Sequence, residues 1–385
     1  MKQPVEEENT PYYDSRLFYP ARLGDVLTSR YQLAAKLGYR SNSTVWLARD
    51  LDREKYVALK INASFAQRRD TVEAELDTLR IISEANPRHI GYPFVRHLLD
   101  SFQLEYESTK CLVLVFEPLR EPLWLYRQRF TGDTIPSDVL RIMLQMILHG
   151  LDYLHSECHV IHTDLKPDNI MVKLEDPSIL EESAKDEYEH PLPQKTNLHG
   201  RTVYLSRNNY GLPRKTTGII QITDFDLSVS GDQPHDGCIQ AEIYRAPEVI
   251  LDAGFSYSAD IWNLGVMLWD VLEGKKLFKD IDPVHVHEYN ELNHLARITA
   301  LLGPPPKELL DKGKRTPCFY KAGALNGPTV EPTNFNFENL LTTVRGEDKR
   351  MFIEFVKRML RWRPEERSTA RELLQDPWLF TESED

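Results

Sequence analysis

Two hydrophobic rhythms alternate along the chain. Tyr31 to Leu37, Ser43 to Ala48 and Tyr56 to Ile61 have the apolar content of short strands, and the polar turn Gly38-Tyr39-Arg40-Ser41-Asn42 joins the first two as a hairpin. Asp70 to Ser83 switches to helical spacing, with Val72, Leu76, Leu79 and Ile82 on one side. Leu98 to Leu104 and Cys111 to Phe116 return to strand character, which predicts five strands and one helix before Glu117-Pro118-Leu119, where proline cannot continue a ladder. Beyond that point helices dominate. Ser137 to Cys158 is a long amphipathic helix, and Ser258 to Leu272 is apolar almost all round and must be buried. Shorter helices are expected at His294–Leu302, Lys349–Leu360 and Ala370–Gln375. Residues 1–20 carry acids and then aromatic residues, and read as an arm lying on the first group of strands. Between Val172 and Gly218 the pattern loses its period among many acids, which reads as a surface excursion with one local strand, Arg201 to Leu205.

Composition narrows the classes. With 41% hydrophobic and 28% charged residues, the 385-residue chain has the make-up of a soluble globular protein large enough for two lobes sharing a cleft. A net charge of -12 argues against a nucleic-acid binder held by phosphate contacts and leaves room for a basic protein partner. The four cysteines show no metal-ligand spacing, and no apolar run is long enough to span a bilayer. The expectation is a soluble monomer in the cytoplasm or nucleus, without membrane or direct nucleic-acid partners.

The chemistry concentrates in Val160-Ile161-His162-Thr163-Asp164-Leu165-Lys166-Pro167-Asp168-Asn169, a polar loop between apolar ends. An Asp and an Asn five positions apart with a Lys between them suit phosphoryl transfer. The carboxylate can accept a hydroxyl proton, the amide oxygen can ligate Mg²⁺, and the ammonium can neutralise phosphate charge. Asp224-Phe225-Asp226 follows a short apolar run, and Ala246-Pro247-Glu248 lies about twenty residues further on. Taken singly, each has a bland reading as a polar turn, a solvated helix face or a strand's wet side.

Together with Lys60, Glu75, Asp260 and Arg367, these motifs in this order resemble the eukaryotic protein kinases over roughly residues 31–379. The closer resemblance is to the SR-protein kinases of the fungal, short-spacer type. It rests on Tyr19-Pro20-Ala21-Arg22-Leu23-Gly24-Asp25, on Ser43-Thr44-Val45-Trp46-Leu47-Ala48, on His162-Thr163-Asp164, and on the insertion before Asp224. The resemblance implies an α+β, bilobal protein-kinase fold. A small five-stranded antiparallel sheet with a helix would form one lobe, and a larger, mainly helical lobe the other. The arm would cover residues 1–30, the small lobe 31–117, the large lobe 118–379 with an insertion at about 173–218, and a tail 380–385.

The resemblance also implies a serine/threonine protein kinase using ATP and Mg²⁺ on Arg/Ser-rich protein substrates. Asp164 would be the catalytic base and Lys166 the γ-phosphate contact. Asn169 and Asp224 would hold Mg²⁺, and Lys60 with Glu75 (Glu73 as the other candidate) the phosphate-positioning ion pair. Gly38, Val45, Ala58, Phe116 and the backbone of Glu117 and Leu119 would receive the nucleotide. Glu248 and Arg367 would form a buried structural pair. Asp280, Asp282, Glu288 and Glu291 are candidate carboxylates for docking a basic substrate.

Five positions depart from the family pattern. Arg40 and Ser43 replace glycines of the phosphate loop. Asp226 stands where glycine usually permits positive φ. Ala241 lacks a hydroxyl expected near the base, and Thr163 replaces an arginine that would bind a phosphorylated activation loop. Arg40, Asp226 and Ala241 keep a rival reading open, a pseudokinase-like scaffold that binds nucleotide with weak or no turnover.

Overall fold

The computed structural model describes residues 3–11, 13–64, 69–107, 109–197, 200–214, 218–278, 289–327 and 334–381. The chain forms two compact units. One comprises residues 1–84, 96–121 and 172–218; the other comprises 85–95, 122–171 and 219–385.

The first unit is built on a six-stranded sheet. Its strands are β1 (Val26–Leu27), β2 (Tyr31–Arg40), β3 (Ser43–Asp50), β4 (Lys55–Asn62), β5 (Asp100–Tyr106) and β6 (Thr109–Phe116), in the spatial order β1-β2-β3-β4-β6-β5. The sixth strand, β1, comes from the arm. At two residues it is too short to show a period. Helix α1 (Arg69–Glu84) buries Leu79 and Ile82, as its spacing predicts, while Val72 and Leu76 stay half-buried. Val57, Ala58, Leu59 and Ile61 of β4 are all buried, so this central strand is covered on both faces. One face packs Leu33, Trp46, Ala48, Val57, Leu59, Val113 and Val115 into a core that Tyr204 of the insertion helps close.

The insertion departs from expectation in place and in form. It belongs with the sheet unit rather than with the helical one. It also contains a 12-residue helix, Ser178–Glu189, and a hairpin pairing Gln194–Thr196 with Thr202–Tyr204. The helix escaped the periodic reading because only Ile179, Leu180 and Glu187 are buried in it, and one of these three is an acid. Glu187 is tied to Arg207, and Leu180 packs on Ala35 and Leu47 of the sheet. The arm is anchored to the same region. Glu7 pairs with the buried Lys36, Lys195 holds Glu8 at 2.7 Å, and Arg201 donates to the carbonyls of Phe18 (2.6 Å) and Tyr19 (3.0 Å).

The second unit is mainly helical. Its long helix Ser137–Ser156 buries Leu140, Met143, Leu144, Ile147, Leu151 and Leu154, the positions its period predicts. The helix Ser258–Leu272 buries 14 of its 15 residues, as an all-round apolar sequence requires. Around it, Glu248 and Arg367 form a bidentate pair with both contacts at 2.6 Å and both side chains wholly buried. Arg367 also donates to the Ser258 and Arg361 carbonyls, so the guanidinium leaves the solvent with its hydrogen bonds made. Among the described residues, no helix is long and apolar enough to cross a membrane.

Candidate active site

In the sheet unit, strand register does the assembling. Val45 lies opposite Lys60, and Lys60 opposite Leu114; Leu47 lies opposite Ala58, and Ala58 opposite Phe116. Gly38 pairs with Val45 across the hairpin. Directly paired residues share a face, and so do residues two apart on one strand, so Val45, Ala58, Lys60 and Phe116 are brought to one side of the sheet. A one-residue slip would turn all of them away. Lys60 Nζ meets Glu75 Oε1 at 2.6 Å, with 13% of the lysine side chain and 4% of the glutamate exposed. Glu75 is therefore the partner, and Glu73 lies exposed on α1.

The Phe116–Glu117 step holds a residue that the sequence reading missed. The Arg96 guanidinium stacks over the Phe116 ring at 4.3 Å, and its Nη2 donates to the Glu117 carbonyl at 3.3 Å. No periodicity marks Arg96, since only the folded strand order brings it beside β6.

The helical unit holds the 160–169 loop. Asp164 is 9% exposed. Its Oδ2 accepts from Lys166 Nζ at 2.6 Å and from Asn169 Nδ2 at 3.0 Å, and its carbonyl accepts from the same Asn169 amide at 2.9 Å. One carboxylate oxygen is thereby oriented by an ammonium and an amide. The backbone beneath it is fixed by Asp260 at the start of the buried helix, which accepts from the N–H of His162 (2.8 Å), the N–H of Thr163 (2.9 Å) and His155 Nε2 (2.9 Å). Burial works to raise the Asp260 carboxyl, but these donors and the nearby imidazoles hold it below the ordinary carboxylate value.

His162 is locked as well. Its Nδ1 accepts from the Asp164 N–H at 3.2 Å, which leaves Nε2 as the donor to the Thr223 carbonyl at 3.0 Å. Its ring packs 5.2 Å from Phe225. Thr223 in turn donates its N–H (2.8 Å) and its hydroxyl (3.1 Å) to the Asn169 carbonyl. The two expected metal ligands, Asn169 and Asp224, are thus tied through the residue between the two motifs. An amide and a carboxylate are hard oxygen donors, the kind Mg²⁺ takes.

Three departures from the family pattern acquire explanations. Asp226 is exposed and does not adopt positive φ; Asp224 does, at 70°, so aspartate in place of glycine imposes no backbone strain there. Thr163, with φ 68°, donates its hydroxyl to the Leu227 carbonyl at 2.8 Å. It binds the segment after the metal motif directly, where an arginine would act through a phosphate. Val229–Ser230 also pairs with Val160–Ile161. Ser43 is buried in β3, and Arg40 ends β2 exposed, so the phosphate loop is a tight turn at Ser41-Asn42 rather than the five-residue loop expected.

The described docking acid is already paired within its own chain. Glu291 is held by Arg315 (2.5 Å) and Arg245 (3.2 Å) of its own chain. Asp280, Asp282 and Glu288 lie outside the described residues.

The protein kinase domain model matches residues 31–379. The chain belongs to the protein kinase family. It is 38% identical over 98% of its length to an Aspergillus fumigatus serine/threonine protein kinase, 91% of which is covered. It is 31% identical over 97% of its length to the Physarum polycephalum serine/threonine-protein kinase SRPK, again covering 91% of that protein. A crystal structure of another kinase domain superposes with a TM-score of 0.71 at 23% identity, covering 95% of this chain and 100% of that one. The kinase therefore has the bilobal architecture, a sheet-and-helix lobe and a larger helical lobe, and it is a phosphotransferase related to the SRPK-like kinases.

Proposed function

We propose that this kinase transfers the γ-phosphate of Mg·ATP to serine hydroxyls in Arg/Ser-rich proteins, acting as a monomer in the cytoplasm or nucleus. We further assign it to the fungal, short-spacer type of SR-protein kinase. The observation that carries the catalytic part is the Asp164 carboxylate, held at Oδ2 by Lys166 and Asn169 above a backbone braced by Asp260. A carboxylate so placed accepts the proton of an attacking hydroxyl. Lys166 is poised to balance charge on the transferred group, while Lys60, oriented by Glu75, would hold the remaining phosphates. Asn169 and Asp224 would hold Mg²⁺, whose part is to neutralise phosphate charge.

The substrate part rests on the resemblance, on similarity to a relative named SRPK, and on the acid excess of the chain. Turnover of an Arg/Ser peptide is to be measured beside a neutral Ser peptide and an Asp164→Asn enzyme. A lower KM for the Arg/Ser peptide, rising with salt as exposed charges are screened, supports the assignment. Equal KM values for the two peptides remove the Arg/Ser preference. Nucleotide binding without turnover on either peptide would favour the scaffold reading.

A further inference from the structure

The insertion returns to one short strand. Strand β7 (Leu119–Pro122) begins two residues after Glu117, and Glu117 and Arg120, which flank Pro118-Leu119, are both engaged by the insertion. At its entry, Lys173 Nζ lies 3.3 Å from Glu117 Oε2, and Glu175 receives Arg120 Nη1 at 2.8 and 2.9 Å. The two pairs alternate in sign, so only one alignment of entry and strand satisfies both. At the exit, Arg120 Nη2 donates to the Gly211 carbonyl at 2.5 Å, and the Arg214 N–H donates to Glu175 at 3.0 Å. A single guanidinium therefore gathers both ends of the 173–218 segment.

These contacts differ in kind from a surface ion pair. The Arg120 side chain is fully buried and that of Glu175 is 1% exposed. Burial works to raise the Glu175 carboxyl, but the Arg214 N–H, its own backbone N–H and the Arg120 charge hold it below its ordinary value. A buried bidentate pair that also binds a carbonyl has few alternative geometries, so it transmits position. Lys173–Glu117 is partly solvated, with 33% and 56% of the two side chains exposed, and acts as a guide rather than an anchor.

We propose that Arg120 is a positioning residue for nucleotide binding, and that the insertion, closed on it through Glu175 and Gly211, clamps the Glu117–Leu119 backbone in the form that receives adenine. This rests on the kinase reading of Glu117 and Leu119 as the adenine-pairing hinge. Nucleotide affinity would then depend on a segment that contributes no group to the nucleotide. Lys173, Glu175 and Arg120 are not catalytic residues on this view. They act through the backbone of three residues.

The test measures binding of methylanthraniloyl-ADP with Mg²⁺ to the full chain and to Arg120→Met, Glu175→Gln and Lys173→Ala, beside thermal midpoints without nucleotide. Weakened binding of about fivefold or more is expected in Arg120→Met and Glu175→Gln, the low end of ordinary coupling between sites. The double variant should be no weaker than the worse single one, because both break one contact. KM for ATP should rise while kcat at saturating ATP and KM for the peptide stay within about twofold, since only uniform nucleotide binding is lost. Should Arg120→Met fail to fold, Glu175→Gln and the half-exposed Lys173→Ala carry the test. Lowered midpoints with an unchanged Kd in Glu175→Gln and Lys173→Ala would make the contacts merely structural and overturn the clamp alone. A wild-type chain that does not bind the probe overturns the nucleotide reading and the clamp with it.

Discussion

Lys60–Glu75 and Arg367–Glu248 are ion pairs with the same shortest separation, 2.6 Å, and, on the proposed function, opposite uses. The first lies on the sheet unit and keeps 13% of its lysine side chain exposed. The second lies in the helical unit, meets through two contacts, and has no exposure on either side. Arg367 spends its remaining donors on carbonyls and stacks 5.0 Å from the Trp262 ring. Lys60 is a compact ammonium that solvent still reaches. Equal distances therefore say little; burial and the access of water decide whether a pair can serve a ligand or only the fold.

Breaking each pair should separate the two uses. Lys60→Met should cut turnover by roughly 10²–10³-fold, the scale of losing one electrostatic contact to the phosphates. Its unfolding free energy should fall by an amount between the ~1 kcal/mol of an exposed pair and the ~3–5 kcal/mol of a buried one. Turnover near the wild-type rate, with a stability loss as large as a buried pair's, would place Lys60 among the structural groups.

Arg367→Met should show the reverse. Removing it strands the Glu248 carboxylate in the core, so about 3–5 kcal/mol of stability should disappear in urea titrations. The KM for ATP of the protein that remains folded should be unchanged. A shifted KM would mean that the pair reaches the site.

A third, smaller effect tests burial without charge. His294 is fully buried, shares a hydrogen bond of 2.8 Å between its Nδ1 and the Tyr289 hydroxyl, and has its pKa pushed down to about 3 by burial first and by Arg245 and Arg297 after that. Its unfolded value is near 6.5, so below that pH the unfolded chain binds a proton that the folded chain refuses. Stability at neutral pH is thus lost as pH falls from about 6.5 towards 3, at ~1.4 kcal/mol per unit from this group. Unfolding free energies measured between pH 7 and 4.5 should fall less steeply in His294→Leu. An identical slope would show that other groups govern acid lability.

The smallest effect concerns Thr163. Thr163→Val removes the hydroxyl bond to Leu227, worth about 0.5–1.5 kcal/mol, and should lower activity severalfold without creating a need for phosphate. Phosphatase-treated wild type made in bacteria should match untreated material. A requirement for phosphate on Ser228 or Ser230 would show that the Thr163 tether does not replace it.

Much of this was legible in the residues. The order Lys60, Glu75, His162–Asn169, Asp224, Glu248, Arg367 identified the chemistry, because phosphoryl transfer needs a base, charge neutralisers and oxygen ligands whatever surrounds them. The helices Ser137–Ser156 and Ser258–Leu272 followed from apolar spacing, because burial of one face or of all faces writes its period into the chain. The insertion's helix did not, because Glu187 is buried by pairing with Arg207 rather than by being apolar. Arg96 over Phe116, Arg120 with Glu175, and Asp260 beneath His162 and Thr163 join residues 20, 55 and 97–98 positions apart. Glu291 looked like a docking acid until two arginines, 46 and 24 positions away, were found to hold it. A sequence states which groups can ionise, donate or pack. The partner each group obtains is decided when distant segments meet, since hydrogen bonds and ion pairs depend on a few ångströms of separation that no local pattern encodes.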